Sequence, residues 1–218
     1  MNNKIVKTLI QIALSVIAII LVYLIYNSIM NPIKFNEEKD IRYKATIEKL
    51  IDIRSAEVAY KDVNGKYADS FDKLIYFVKN DSFPAIRKIG EPAEDLIDSL
   101  GSYTEAEALS LKNKLIIRDT IRIAVLDSIF SKDYEIDNLR FVPFTEGKEF
   151  TLKSGSVKTA SGVVVQVFEA AVTNDVLLNE MDKQLLINLN DEKLQMGHFP
   201  GLKVGDINHA NNNNGNWE

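Results

Sequence analysis

From Leu9 to Tyr26 the chain reads LIQIALSVIAIILVYLIY, eighteen residues without a charge, and no later stretch is as apolar. Such a run is long enough to cross most of a bilayer core as a helix. Widened to Thr8–Met30 it reaches about 34 Å at about 1.5 Å per residue. The predicted anchor positions are Leu9, Ile12, Val16, Ile19 and Val22. Tyr23 and Tyr26 lie where an aromatic belt sits, and Lys4 and Lys7 flank the start. Gln11 and Ser15 share one helical face and suit a helix–helix contact. A cleaved signal peptide would have a shorter apolar run and a small-x-small cleavage site. Here Asn27-Ser28-Ile29-Met30-Asn31-Pro32 follows instead, and there is no cysteine to carry a lipid.

Beyond the run, the pattern breaks into shorter periodic pieces. Pro32 predicts a break or kink, and Asn36 before Glu37 and Glu38 predicts a fresh, capped helix start. Tyr43, Ile47, Leu50, Ile51 and Val58 form one stripe, with Ile53, Ala56 and Tyr60 on the opposite side, until Asn64-Gly65 ends the helix. Ser70 is expected to cap a helix carrying Phe71, Leu74, Ile75 and Val78 inward. Helices are also expected over Pro92–Leu100 and from a Thr104–Glu107 capping box to about Asn113. The period then shortens. Ile121–Val125, Leu139–Phe144 and Glu149–Lys153 read as strands, and Val157–Ala160 reads as the hairpin partner of Val163–Ala171 across Ser161-Gly162. A last helix follows Asn174, with Leu177, Met181 and Leu185 on one side, and the region after Gly197 reads as loop or irregular strand. The expected fold class is α+β: a transmembrane helix, a helical stalk and small helices, a small antiparallel sheet and a carboxy-terminal helix. The expected divisions are a tail over 1–8, a transmembrane helix over 9–30, an amphipathic juxtamembrane helix over 31–63 and an extramembrane domain over 64–218.

Composition narrows the function more than it defines one. Net charge is −5 with 26% charged residues, so no basic face argues for nucleic acid. The absence of cysteine removes disulfides, iron–sulfur clusters, thiolate zinc and cysteine nucleophiles. The short amino-terminal tail and large folded remainder favour the amino terminus inside and the bulk of the chain outside an inner membrane, although Lys34, Lys39, Arg42 and Lys44 follow the span.

The segment Arg54–Leu74, RSAEVAYKDVNGKYADSFDKL, resembles the place where the long helix of type II secretion pseudopilins and type IV pilins meets the globular head. The similarity rests on Ala56, Tyr60, Lys61, Asn64, Gly65, Tyr67 and Leu74. It implies an apolar helix, an amphipathic continuation, a small sheet and a role in an envelope assembly. The family's processing site, a Gly before a Phe with a Glu five residues into the mature helix, has no counterpart: no Gly precedes Gly65 and no Glu precedes Glu37. The chain thus looks like a pilin-like component that stays in the bilayer. NPIKFNEEKDIRYK and the ending FPGLKVGDINHANNNNGNWE also resemble single-span Bacteroidetes proteins, a likeness that carries no activity.

Candidate chemistry is sparse. His198 and His209 are expected in surface loops. Asp206, Asn208 and Asn211 offer oxygens close together, as a calcium loop does, and major pseudopilins hold calcium in such a loop. Only Asp206 and Glu218 are charged there, so a hydrogen-bonded polar tail is the plainer reading. Asp119, Asp127, Glu91, Glu94 and Asp95 fit solvated caps better than an acid–base pair, Lys153–Ser156 reads as a turn, and no nucleophile elbow or phosphate loop appears. The expectation is therefore a non-enzymatic structural subunit without a cofactor. Its partners would be the lipid bilayer and other envelope proteins or further copies of itself, met through Ile47, Ile51 and Trp217. The alternative is a tethered binding module for peptide, glycan or calcium, with Tyr103, Tyr134, Phe141 and Phe144 lining one concave patch.

Overall fold

The computed structural model describes residues 3–131 and 133–218, so Met1 and Asn2 of the expected tail lie outside the described residues, as does the Lys4 side chain. Helix α1 (Asn3–Asn64) runs unbroken for 62 residues, about 93 Å at about 1.5 Å per residue, with Pro32 inside it. The break expected at Pro32 is absent. A proline inside a helix costs about 3 kcal/mol, and burying Phe35, Leu50 and Ile53 farther along the same helix contributes about 1.5–3 kcal/mol each. Asn36 accordingly starts nothing; its Oδ1 accepts a hydrogen bond from Lys39 at 3.1 Å in mid-helix. The expected end holds, with Gly65 in the left-handed region at φ 74°.

The inward stripe of α1 is rotated from the one predicted. Thr46, Leu50, Ile53, Ala56, Glu57 and Ala59 are buried, whereas Ile51 and Val58 are each 37% exposed. A glutamate on the buried side disguises that side as polar, so the apolar pattern points to its neighbour.

Helix α2 (Phe71–Asn80) buries Phe71, Leu74, Ile75, Phe77 and Val78 as its spacing requires, although Ser70 makes no side-chain cap. A ribbon then projects. Strand β1 (Ser82–Ile89), which the sequence reading missed, pairs antiparallel with β2 (Ile117–Ala124), and α3 (Glu94–Leu100) and α4 (Tyr103–Lys112) fill the connection. The cap of α4 is Ser102, which accepts from the Glu105 N–H, and not Thr104 two residues later. The expected inner stripe of α3 is not buried; Leu96 and Ile97 are only half-buried. Val125 opens the short helix α5 (Val125–Ile129), donating its N–H to the Asp81 carbonyl at 3.0 Å.

The expected strand over 139–144 is instead a 3-10 turn (Ile136–Arg140) followed by a single bridge from Phe141 to Glu149. Phe144 has positive φ, 60°, and the tight turn around it interrupts an extended path. Strands β3 (Thr151–Lys158) and β4 (Val164–Thr173) form the anticipated hairpin, with Val157 opposite Val165. Lys153–Ser156 is therefore strand, not turn. The last helix divides into α6 (Asn174–Leu177) and α7 (Lys183–Gln195), because Asp182 caps a new start by accepting from the Gln184 and Leu185 N–H groups. Strand β5 (Gly201–Gly205) completes the order β3-β4-β5. The core lies between this sheet, the carboxy-terminal half of α1, and α2, with Phe168 of β4, Phe77 of α2 and Leu50 of α1 within it. The chain is a mixed α and β fold with small antiparallel sheets and one long apolar helix.

Candidate membrane anchor and interaction surfaces

Leu9, Ile12, Val16, Ile19, Val22, Tyr23 and Tyr26 are between 50% and 69% exposed and point from every side of α1. No protein surface covers them. By length and composition this is the one helix among the described residues able to cross a membrane, and a signal sequence near the amino terminus meets the same test. Ser15 donates to its own helix, to the Gln11 carbonyl at 2.9 Å.

Downstream, polar contacts lock α1 to the head. Asn174 is fully buried and bonded from three sides: its Oδ1 accepts from the Tyr43 hydroxyl at 2.5 Å, its Nδ2 donates to Asn190 at 2.9 Å, and its N–H donates to the Pro200 carbonyl at 3.0 Å. Burial pushes the Tyr43 phenol up to about 12, so it remains a donor. Arg42 spans from Glu38 at 2.8 Å to the Leu177 carbonyl at 3.1 Å, beneath the Phe144 ring. Farther along, the Tyr134 hydroxyl donates to Asp52 at 2.6 Å and accepts from Lys49 at 2.9 Å. This trio has the composition of a proton-transfer site. Burial, with the Asp52 carboxylate, drives the phenol upward, and desolvation lowers the lysine against the pull of Asp52 and Glu135. A phenol held as a donor to a carboxylate is a strut and not a nucleophile.

The asparagine-rich tail is docked along the outer edge of β5. The Gly205 N–H donates to Asn214 at 3.1 Å, the Asn216 N–H to Lys203 at 3.0 Å, and the Asn216 side chain bonds both Lys203 N–H and the Gly201 carbonyl at 3.0 Å. Asn213 reaches the Tyr67 hydroxyl with both of its side-chain atoms, at 2.9 and 3.1 Å.

The predicted site residues separate. Ile47 is half-buried on the core and Ile51 is exposed; Trp217 packs back onto the head over Gly215, where any Cβ would meet its ring at 2.4 Å. Asp206 receives the Asn208 N–H at 2.8 Å, the His209 N–H at 3.2 Å and Lys203 Nζ at 2.9 Å, while Asn211 bonds Asn213 and Asn214. The Asp206 and Asn211 oxygens are thus engaged in a self-bonded turn, to which Asn208 contributes its backbone N–H. No group of three or more His, Asp and Glu among the described residues is arranged to hold a metal. Asp119 pairs with Arg87 at 3.2 Å on the exposed ribbon, away from Asp127 at the start of α5. His198 follows the turn at Gly197 after α7. The four rings expected in one patch have different surroundings: Tyr103 meets Lys88, Tyr134 stacks on Phe130 at 4.4 Å, Phe141 is exposed where its backbone bridges to Glu149, and Phe144 faces Arg42 in a polar hollow of about 300 Å³.

Sequence reasoning missed Glu57, the Tyr134 trio and the Asn174 hub. Tyr43 and Asn174 lie 131 positions apart, and no local pattern announces such a pair. Glu57 left a trace, being the acid that stands between Ala56 and Val58 in an otherwise small and apolar segment. No protein family matches the chain, and neither does any curated protein or any solved structure.

Proposed function

We propose that this chain is a non-enzymatic, single-pass membrane component, an interaction subunit of a pilus-like or secretion-like envelope assembly. Its amino terminus lies on the cytoplasmic side of an inner membrane and its head on the extracytoplasmic side. The observation that carries the reading is the surface of α1: overwhelmingly apolar and uncovered on every side over 9–26, then packed into a polar-surfaced head from Phe35 onward. Lipid is the solvent that suits the first part. The pilin-like junction at Arg54–Leu74 and the structural use made of the polar clusters point the head towards protein partners, either envelope proteins or further copies, through exposed positions such as Ile51.

The test is gentle solubilisation of membranes expressing the full chain, followed by size analysis and identification of what co-purifies. Expected is a chain that resists alkaline extraction and travels with envelope proteins or in higher-order copies. A chain lacking its first thirty residues in the aqueous fraction overturns the anchor, and a lone monomer in detergent overturns the subunit role.

A further inference from the structure

One acid faces the core from α1. Glu57 is fully buried; its Oε2 accepts the Ala68 N–H at 2.9 Å, and its Oε1 has no hydrogen-bond partner. Among the described residues no cation pairs with it. On the same helix Arg54 is held by Glu218 at 2.7 Å, and Lys61 reaches the Tyr67 hydroxyl at 3.4 Å. In the following turn Lys66 acts on Asp69, and Asp69 also holds Lys73 of α2 at 2.7 Å. A carboxylate with one donor and no counter-charge is costly in an apolar interior, whereas a neutral acid is tolerated.

We propose that Glu57 is a proton-operated latch: as a neutral acid it clamps the turn over 65–70 to the end of α1, and losing its proton to solvent frees that turn and the carboxy-terminal tail. The relay is covalent and short. Ala68 adjoins Tyr67, whose hydroxyl is bonded twice to Asn213, and the residues just beyond Asn213 seal the edge of β5. Release of the tail therefore opens a strand edge to another chain.

Burial moves the Glu57 carboxyl from 4.5 to about 8, opposed by the Ala68 N–H and assisted by Asp69. The folded value lies above the unfolded one. The latch therefore contributes its full stability below about 4.5 and loses it as pH rises through about 8.

The experiment uses the full chain in detergent micelles between pH 6 and 10, reading emission of the sole tryptophan, Trp217, and amide exchange over the turn and tail. The wild type should show an emission midpoint at or just below about pH 8, and turn exchange that, relative to Glu57→Gln, rises by up to about tenfold per pH unit below that value and levels off above it. Glu57→Gln should show no such midpoint while keeping every other side chain of the chain, so the comparison isolates the Glu57 proton. Tyr67→Phe should keep the turn response but lose the Trp217 response. Equal pH profiles in wild type and Glu57→Gln overturn the latch, as does exchange rising equally across the β3-β4-β5 sheet. Persistence of the Trp217 response in Tyr67→Phe overturns the relay. Should Glu57→Gln not fold, the wild-type exchange map decides: a rise confined to turn and tail supports the latch, and its absence refutes it.

Discussion

Ile19 and Leu50 belong to one uninterrupted helix, yet the first is 69% exposed and the second is fully buried. The backbone hydrogen bonds of the two halves are alike; only the surfaces differ. The amino-terminal half is apolar on all sides and needs a solvent of its own kind. The carboxy-terminal half is apolar on one side and is satisfied by the head. Secondary structure alone therefore says nothing of environment, and the distribution of charge around the helix says nearly everything.

The contrast can be broken by substitution, and the expected effects fall in order. Leu50→Ala should destabilise the head by about 2–5 kcal/mol, since the site is packed from all directions, whereas Ile20→Ala should leave its denaturation midpoint unchanged. Ile19→Asp should cost about 2.5–3.5 kcal/mol of membrane insertion, read as chain appearing outside the membrane fraction. Its failure to appear there would mean that 9–30 is not surrounded by lipid. Asn174→Ala should cost about 1–3 kcal/mol, because the Tyr43 hydroxyl is left buried without its acceptor; Tyr43→Phe made together with it should recover part of that loss in a double-mutant cycle. Ile51→Asp, on the exposed side of the same helix, should change stability by no more than about 0.5 kcal/mol. If the head binds partners through this side, the same change should still weaken their co-purification.

What was legible in the sequence had local causes. Eighteen uncharged residues announce a long apolar helix, Phe71-Leu74-Ile75-Val78 announces a helix face, and Ser161-Gly162 between valine runs announces the β3–β4 hairpin. What was not legible depended on partners remote in the chain. Strand β1 contains Pro84 and follows Asn80-Asp81, so it reads as a turn until β2 pairs with it beyond two intervening helices. Strand β5 is short and bounded by glycines, and only β4 and the tail make it a strand. At Pro32 the reading followed a local rule that packing overrode. The candidate site divides in the same way: the anchor came from an uninterrupted run, whereas Glu57, Tyr43 and Tyr134 owe their chemistry to burial by distant residues.

The continuity of α1 through Pro32 leaves no joint between its apolar half and the head, so in the proposed membrane setting the head takes its bearing from the bilayer. Membrane helices commonly lean by about 20°. Over the 34 residues from Asn31 to Asn64, about 51 Å at about 1.5 Å per residue, such a lean carries the distal end of α1 sideways by about 17 Å. On that proposal lipid thickness is a steering variable: a thinner membrane would swing the projecting ribbon and docked tail through an arc of that size.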